Sequence, residues 1–169
     1  MWQLTVAVET NGIICFDPEV VQEWYGHELQ CGMDLFSRFT ASNEGDEVLA
    51  AGIFVPILAI DDAEYSIIVR IDPEQTQIPK EQVVAHNGNY ALQVKSTLVI
   101  ADLESIKEWD GGAYGNRIQF PRGNYAVSML GFSSVDLTSA GYELALCRHH
   151  ALPKVTANTG KNMRILRQP

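Results

Sequence analysis

The sequence lacks most of the patterns by which catalytic and metal-binding proteins are recognised. It has three cysteines without Cys-x-x-Cys spacing, and it has no Gly-x-Ser-x-Gly motif. The glycine-rich stretch 111–115 is not followed by Lys-Ser or Lys-Thr, so it is not a phosphate-binding loop of the usual type. An odd number of unspaced cysteines favours free, buried thiols in a reducing compartment. We therefore predict a protein that is not an enzyme and holds no cofactor or metal ion.

Long hydrophobic runs are also missing. The longest, residues 48–60, is too short to cross a bilayer and contains Pro56. The N-terminus has no basic segment ahead of an apolar core, so we expect no signal peptide. These features favour the cytoplasm as the location of the protein.

Acidic side chains are absent from the C-terminal end of the chain. The first 147 residues carry seven basic and all 21 acidic side chains, a net charge of −14, whereas residues 148–169 carry five basic side chains and no acid. A negative body argues against nucleic acid or an anionic membrane as partner and suits a basic protein. Acidic surfaces more often serve solubility alone, so charge by itself does not decide the function.

Short apolar stretches with alternating side chains dominate the rest of the sequence. Residues 117–132 show this best: a short strand, a turn at Pro121-Arg122-Gly123, and a longer strand in which Tyr125, Val127 and Met129 share one face. Further hairpins are predicted at Asn11-Gly12, at Asn87-Gly88, and between residues 48–60 and 65–71. The pattern predicts a mainly β fold, a two-layer antiparallel β-sandwich with one or two short helices.

Helix signals are few. Asp17 before Pro18 predicts a capped helix that ends at Gly26, and Asp102 predicts a cap for a second short helix. A further helix is indicated by the spacing of Met33, Phe36 and Phe39, while residues 42–47 resemble a loop. We predict a single β-rich domain over residues 1–150 and a basic C-terminal tail over residues 151–169.

Acidic clusters supply the candidate partner-binding residues. They lie in one predicted turn and around one predicted short helix, and comprise Asp61, Asp62, Glu64, Glu104, Glu108 and Asp110. A negative surface of this kind attracts a basic partner and speeds association. Cys147, His149 and His150 are close in sequence, but a zinc site needs three or four ligands at a recognisable spacing, and a solvent-exposed strand end explains them better.

One motif resembles a known family. Residues 118–127, with the pattern apolar-x-Phe-Pro-basic-Gly-Asn-Tyr-x-apolar, are similar to a stretch of the competence protein J family. These are small bacterial proteins regarded as inhibitors of a DNA-entry nuclease. The resemblance implies an all-β inhibitor without catalysis, and it carries no binding residues across.

Two functions follow as hypotheses. The first is a non-catalytic acidic domain that binds a protein, such as an immunity or inhibitor protein that blocks a basic toxin or nuclease. The alternative is a small-molecule or carbohydrate-binding β-domain, for which Trp24, Trp109 and Tyr114 are the candidate aromatic platforms.

Overall fold

Two β-sheets face each other across a shared core. The computed structural model describes residues 1–134, 136 and 138–166. In chain order the strands are β1 (Trp2–Val8), β2 (Gly12–Phe16), β3 (Val55–Leu58), β4 (Ala63–Ile71), β5 (Val83–Val94), β6 (Thr97–Asp102), β7 (Asn116–Gln119), β8 (Gly123–Ser133) and β9 (Ala140–His149). The predicted mainly β, two-layer fold is confirmed.

The two sheets differ in size and in strand direction. One has five strands in the order β1-β4-β9-β8-β5, and the other has four in the order β3-β2-β6-β7. All described neighbours are antiparallel except β4 and β9, which run parallel with Ile67 opposite Tyr142. A parallel pair needs a long connection, and here the chain between residues 71 and 140 supplies it.

The turns predicted as hairpins are mostly corners between the sheets. Asn11-Gly12 joins β1 of the larger sheet to β2 of the smaller one, and Pro121-Arg122-Gly123 joins β7 to β8 in the same manner. Strands β3 and β4 also lie in different sheets, while Asn87-Gly88 lies inside β5, where its register with β8 shifts. The hairpin predictions were wrong because turn residues permit a reversal without specifying which strands then pair.

Helices are more numerous than the one or two that were predicted. They are α1 (Pro18–Tyr25), α2 (Leu35–Ala41), α3 (Glu44–Ala50) and α4 (Glu104–Lys107). The predicted cap of α1 is present, because Asp17 Oδ1 accepts a hydrogen bond from Glu19 N at 2.9 Å. Helix α3 occupies most of the predicted 42–47 loop; its acidic first turn suits the positive end of a helix, and Val48 is buried.

Two apolar clusters hold these elements together. The larger lies between the sheets and includes Ile13, Tyr65 and Leu144, all 1% exposed or less. The smaller lies between the other face of the four-stranded sheet and the helices, where Phe16 and Val99 contact buried helical side chains such as Val21. None of the helices in the described residues is long and apolar enough to span a membrane.

The segment after β9 packs along the sandwich. Met163 and Ile165 belong to the larger core and are 2% and 1% exposed. Further up the segment, Thr156 N and Ala157 N both donate to the carbonyl oxygen of Asn89, at 2.9 and 3.1 Å. The described part of the C-terminal segment is thus joined to β5 and to the core.

Candidate functional site

Three loops that are distant in sequence meet at one end of the sandwich. Asn11 N, in the β1–β2 turn, donates to Asp62 Oδ1 at 2.8 Å. Its neighbour Thr10 N donates to Asp102 Oδ2 at 3.2 Å. The β1–β2 turn therefore links the β3–β4 turn, which carries Asp61 and Asp62, to the start of α4. We call this the acidic end and define it as Glu9, Asp61, Asp62, Glu64, Asp102, Glu104, Glu108 and Asp110.

Asp102 is the structural centre of the acidic end. Its carboxylate accepts hydrogen bonds from Glu9 N, Thr10 N and the Thr10 hydroxyl. It also accepts from Glu104 N at 2.8 Å and so binds the first main-chain N–H of α4, although the N-cap position is Leu103 and not Asp102 as predicted. With its oxygens occupied in this way, Asp102 fixes the loops, while the neighbouring Glu9 and Glu104 side chains stay exposed.

Four of these acidic residues line a groove beside α4. Its lining includes Asp102, Glu104, Glu108 and Asp110, with Cys31, Gly32, Ala101, Ser105, Trp109 and Tyr114 completing it. Within the described part of the chain, no basic side chain lines this groove. The groove is thus a concave, negatively charged surface that is open to a partner.

Asp110 owes its position to the glycine-rich loop that follows it. Its Oδ1 accepts from Gly112 N at 2.6 Å, and its Oδ2 accepts from the Ser105 hydroxyl at 3.3 Å. Gly112 has a φ of 78°, which favours glycine, and a Cβ there would lie 3.1 Å from the Val99 side chain. The glycine-rich loop therefore places a carboxylate at the groove.

The β3–β4 turn contributes the second acidic group. Asp62 and Glu64 are exposed, whereas Asp61 is half-buried with its Oδ1 3.5 Å from Arg164 Nε. Burial, followed by the charges of Asp61 and Asp62, raises the pKa of Tyr65 to about 12. The Tyr65 hydroxyl donates to the carbonyl oxygen of Asp61 at 2.7 Å and so braces this turn.

The structure thus places the six predicted residues in two groups, Asp61, Asp62 and Glu64 in one and Glu104, Glu108 and Asp110 in the other. The β1–β2 turn joins the groups through its bonds to Asp62 and Asp102. Sequence reasoning missed Glu9 and treated Asp102 only as a cap. Their common signal, an acid at the end of a strand, is too frequent to have singled them out.

The other candidate residues are scattered. His149 and His150 are exposed and Cys147 is half-buried at the end of β9. In the described ranges, no three His, Cys, Asp or Glu side chains are grouped so as to hold a metal ion. Cys15 is buried as expected, but Cys31 is exposed, because it lies in the loop after α1 rather than in a strand.

The three candidate aromatic platforms do not form one surface. Trp109 is 5% exposed and belongs to the smaller core, where its ring centroid is 5.4 Å from that of Phe16. Tyr114 is 92% exposed at the groove, and Trp24 is 44% exposed on α1. Among these three, only Tyr114 offers a wholly accessible ring.

Comparison with known proteins identifies solved structures with a similar fold. No family model matches the sequence, and no curated protein matches it significantly. The crystal structure of ComJ from Bacillus subtilis, inhibitor of the DNA-degrading activity of NucA, superimposes with a TM-score of 0.52 at 13% identity, covering 88% of this chain and 96% of that chain. The chain is similar in fold to ComJ. This likeness confirms the resemblance carried by residues 118–127 at the level of the fold.

A second solved structure also has a similar fold. The protein described as crocagin biosynthetic gene J matches with a TM-score of 0.51 at 10% identity, again over 88% of this chain and 96% of that chain. The fold is thus shared by proteins with little sequence in common, and its function has to be argued from the surface that each chain displays.

Proposed function

We propose that this protein is a non-catalytic inhibitor-type domain whose acidic end binds a basic protein, such as a nuclease or a toxin. The observation that carries the proposal is the groove beside α4, where four acidic residues belong to the lining and no described lining residue is basic. The fold similarity to ComJ, an inhibitor of a DNA-degrading protein, supports the same class of function. We also propose a cytoplasmic location, because the three cysteines are free thiols, as is usual in a reducing compartment.

Charge at the acidic end acts mainly on the rate of encounter. Neighbouring carboxylates make the local potential more negative and steer a positive partner, with an effect that salt screens over about 8–10 Å. The structural bonds of Asp102 and Asp110 hold two of these carboxylates in place before a partner arrives. Such pre-organisation lowers the conformational entropy lost on binding.

The test is a pull-down and a kinetic binding assay with the product of the neighbouring gene, at low and at high salt. We expect binding that weakens as the salt concentration rises. The triple variant Glu104→Gln, Glu108→Gln and Asp110→Asn should associate about tenfold more slowly at low salt. Asp46, Glu47 and Glu81, which are exposed elsewhere, form a matched control when changed to Asn, Gln and Gln. Failure to bind under either condition, or equal loss in the control, would count against the proposal.

A second candidate function has one observation in its favour. A cavity of about 180 Å³ lies between the four-stranded sheet and helices α2 and α3, lined chiefly by Ile14, Phe36, Phe39, Leu49, Phe54 and Ile106. An apolar space of this size accepts a small apolar molecule. Binding of a benzene- or indole-sized compound would raise the melting temperature. The variant in which Glu104, Glu108 and Asp110 are neutralised would show the same shift.

A further inference from the structure

Glu143 is a buried carboxylate on the outer face of the five-stranded sheet. In β9 the side chains of Tyr142, Leu144 and Leu146 are directed into the core, so Glu143 and Ala145 lie on the opposite face. The Glu143 side chain is nevertheless only 3% exposed. A charged group in this position is unfavourable unless its oxygens are matched by donors.

The donors of the protein do not satisfy this carboxylate. Glu143 Oε2 is buried and accepts no hydrogen bond from any residue in the described part of the chain. The nearest cation is Arg70, whose Nη1 lies 3.5 Å away but donates its hydrogen bond to the carbonyl oxygen of Gln75 at 2.7 Å. Arg70 therefore balances the charge in part and leaves one acceptor without a donor.

This carboxylate lies at a slot in the surface. The slot is bounded by the loop after β4 on one side and by β8 and β9 on the other, with a lining of Pro73, Gln75, Thr76, Ser128, Leu130, Glu143, Ala145 and Cys147. Leu130 lies directly opposite Glu143 across the β8–β9 ladder, and Ser128 lies opposite Ala145. The slot thus has walls of apolar and uncharged polar side chains and one anionic acceptor.

We propose that the slot receives a basic side chain, an aliphatic stem with a guanidinium or ammonium head, from the protein partner. The stem would pack on Pro73, Leu130 and Ala145 while the head donates to the Glu143 carboxylate. Arginine and lysine combine an apolar stem with a cationic head in this way. The source of the side chain rests on the proposed function, because a basic partner is what supplies it.

One residue of the acidic end, Glu64, lies on the same outer face of the five-stranded sheet as the slot. Glu64 and Ile68 lie on the same side of β4, four residues apart, and Ile68 is opposite Glu143 on β9. Four residues of strand span about 13 Å, well within the footprint of a protein partner. A basic partner that covers Glu64 would therefore extend over Glu143 as well.

The inference is tested with a small probe, N-acetyl-arginine amide, titrated against the full chain and followed by NMR. We expect saturable shifts at Leu130 and Ala145, and binding at least about tenfold weaker for the neutral isostere N-acetyl-citrulline amide. Glu143→Gln should weaken arginine binding by a similar factor, while Glu81→Gln, at an exposed site elsewhere, should leave it unchanged. Ala145→Ile is a second variant, which blocks the slot while keeping the carboxylate.

A second readout uses the thiol in the slot. In a Cys31→Ser background, alkylation of the half-buried Cys147 should slow when the arginine derivative is bound. No saturable shift, or equal binding by Glu143→Gln, would overturn the inference, as would binding of putrescine without binding of the arginine derivative. Arginine binding without capture of any basic protein would leave the slot standing and refute the proposed function, so the two failures are distinct.

Discussion

Tyr142 and Met163 are joined by a buried hydrogen bond, in which the tyrosine hydroxyl donates to the main-chain carbonyl oxygen of Met163 at 2.8 Å. This bond links the central strand of the larger sheet to the C-terminal segment. Two residues later Ile165 lies in the same core, so close to β8 that a Cβ on Gly131 would overlap its side chain. The described part of the C-terminal segment is thus part of the packing of the sandwich.

Truncation of the two C-terminal core side chains should therefore destabilise the whole protein. We expect Met163→Ala and Ile165→Ala each to lower the free energy of unfolding by about 2–4 kcal/mol, because each leaves a cavity in the larger core. Urea unfolding followed by tryptophan fluorescence measures the change, with the exposed Gln77→Ala as control. The same variants test the division into a domain at 1–150 and a tail at 151–169, since an independent tail would tolerate both.

A second prediction concerns Asp17, whose side chain does more than cap α1. Its Oδ2 accepts hydrogen bonds from three consecutive main-chain N–H groups in the β5–β6 turn, those of Lys95, Ser96 and Thr97, at 2.7, 3.0 and 3.2 Å. Asp17→Ala leaves these donors unmatched at a site that is 1% exposed, so we expect a loss of about 3 kcal/mol or more. Chemical denaturation provides the measurement. Glu19→Ala, on the exposed first turn of α1, should change stability by less than about 1 kcal/mol.

Local features of the fold were predictable from the sequence, and Asp17 shows why. Its role in starting α1 depends on neighbours one and two residues away, which the sequence displays directly. Its bonds to residues 95–97 depend on the way β5 leads into β6 in the other sheet. Likewise, Asn11-Gly12 signalled a reversal correctly, but whether β1 would pair with β2 or with β4 was decided by packing between distant strands.

The candidate site likewise has one part that the sequence predicts and another that depends on contacts between distant parts of the chain. Glu104, Glu108 and Asp110 are close in sequence and were predicted together, and the structure shows them in one groove. That Asp62 lies beside this group follows only from the tertiary link through Asn11. Glu143 was not predicted, because an acid at an outward-facing strand position ordinarily indicates solvent exposure, whereas this side chain is buried.

Buried tyrosines and a buried thiol predict a sharp loss of stability at alkaline pH. Burial raises the pKa of Cys15, Tyr65 and Tyr90 to about 12, and it raises the pKa of Tyr142 still further above its ordinary value. In the unfolded chain the thiol loses its proton near pH 9 and the phenols near pH 10, whereas the folded protein keeps these protons. The unfolded state then binds fewer protons, so stability falls as pH rises above these values.

The expected slope is about 1.4 kcal/mol per pH unit for each such group, between its unfolded and folded pKa. Urea midpoints measured from pH 8 to pH 11 give the slope, and absorbance near 295 nm reports tyrosinate formation. Tyr90→Phe removes one titrating group and should therefore reduce the slope by about 1.4 kcal/mol per pH unit in the range where Tyr90 contributes. If most tyrosines titrate near pH 10 while the protein remains folded, the inference that burial keeps these side chains protonated is wrong.

The three free thiols should react in a fixed order, which follows from their positions. Cys31 is exposed in the loop after α1, Cys147 is half-buried near the end of β9, and Cys15 is 2% exposed in the central part of the smaller sheet. With an aromatic disulfide reagent at pH 8, we expect Cys31 to react first, Cys147 more slowly, and Cys15 only after unfolding. Cys31→Ser should remove the fast phase alone. Reaction of Cys15 in the folded protein at the rate of Cys31 would show that β2 opens readily, and that the core between the sheets is less tightly closed than its burial indicates.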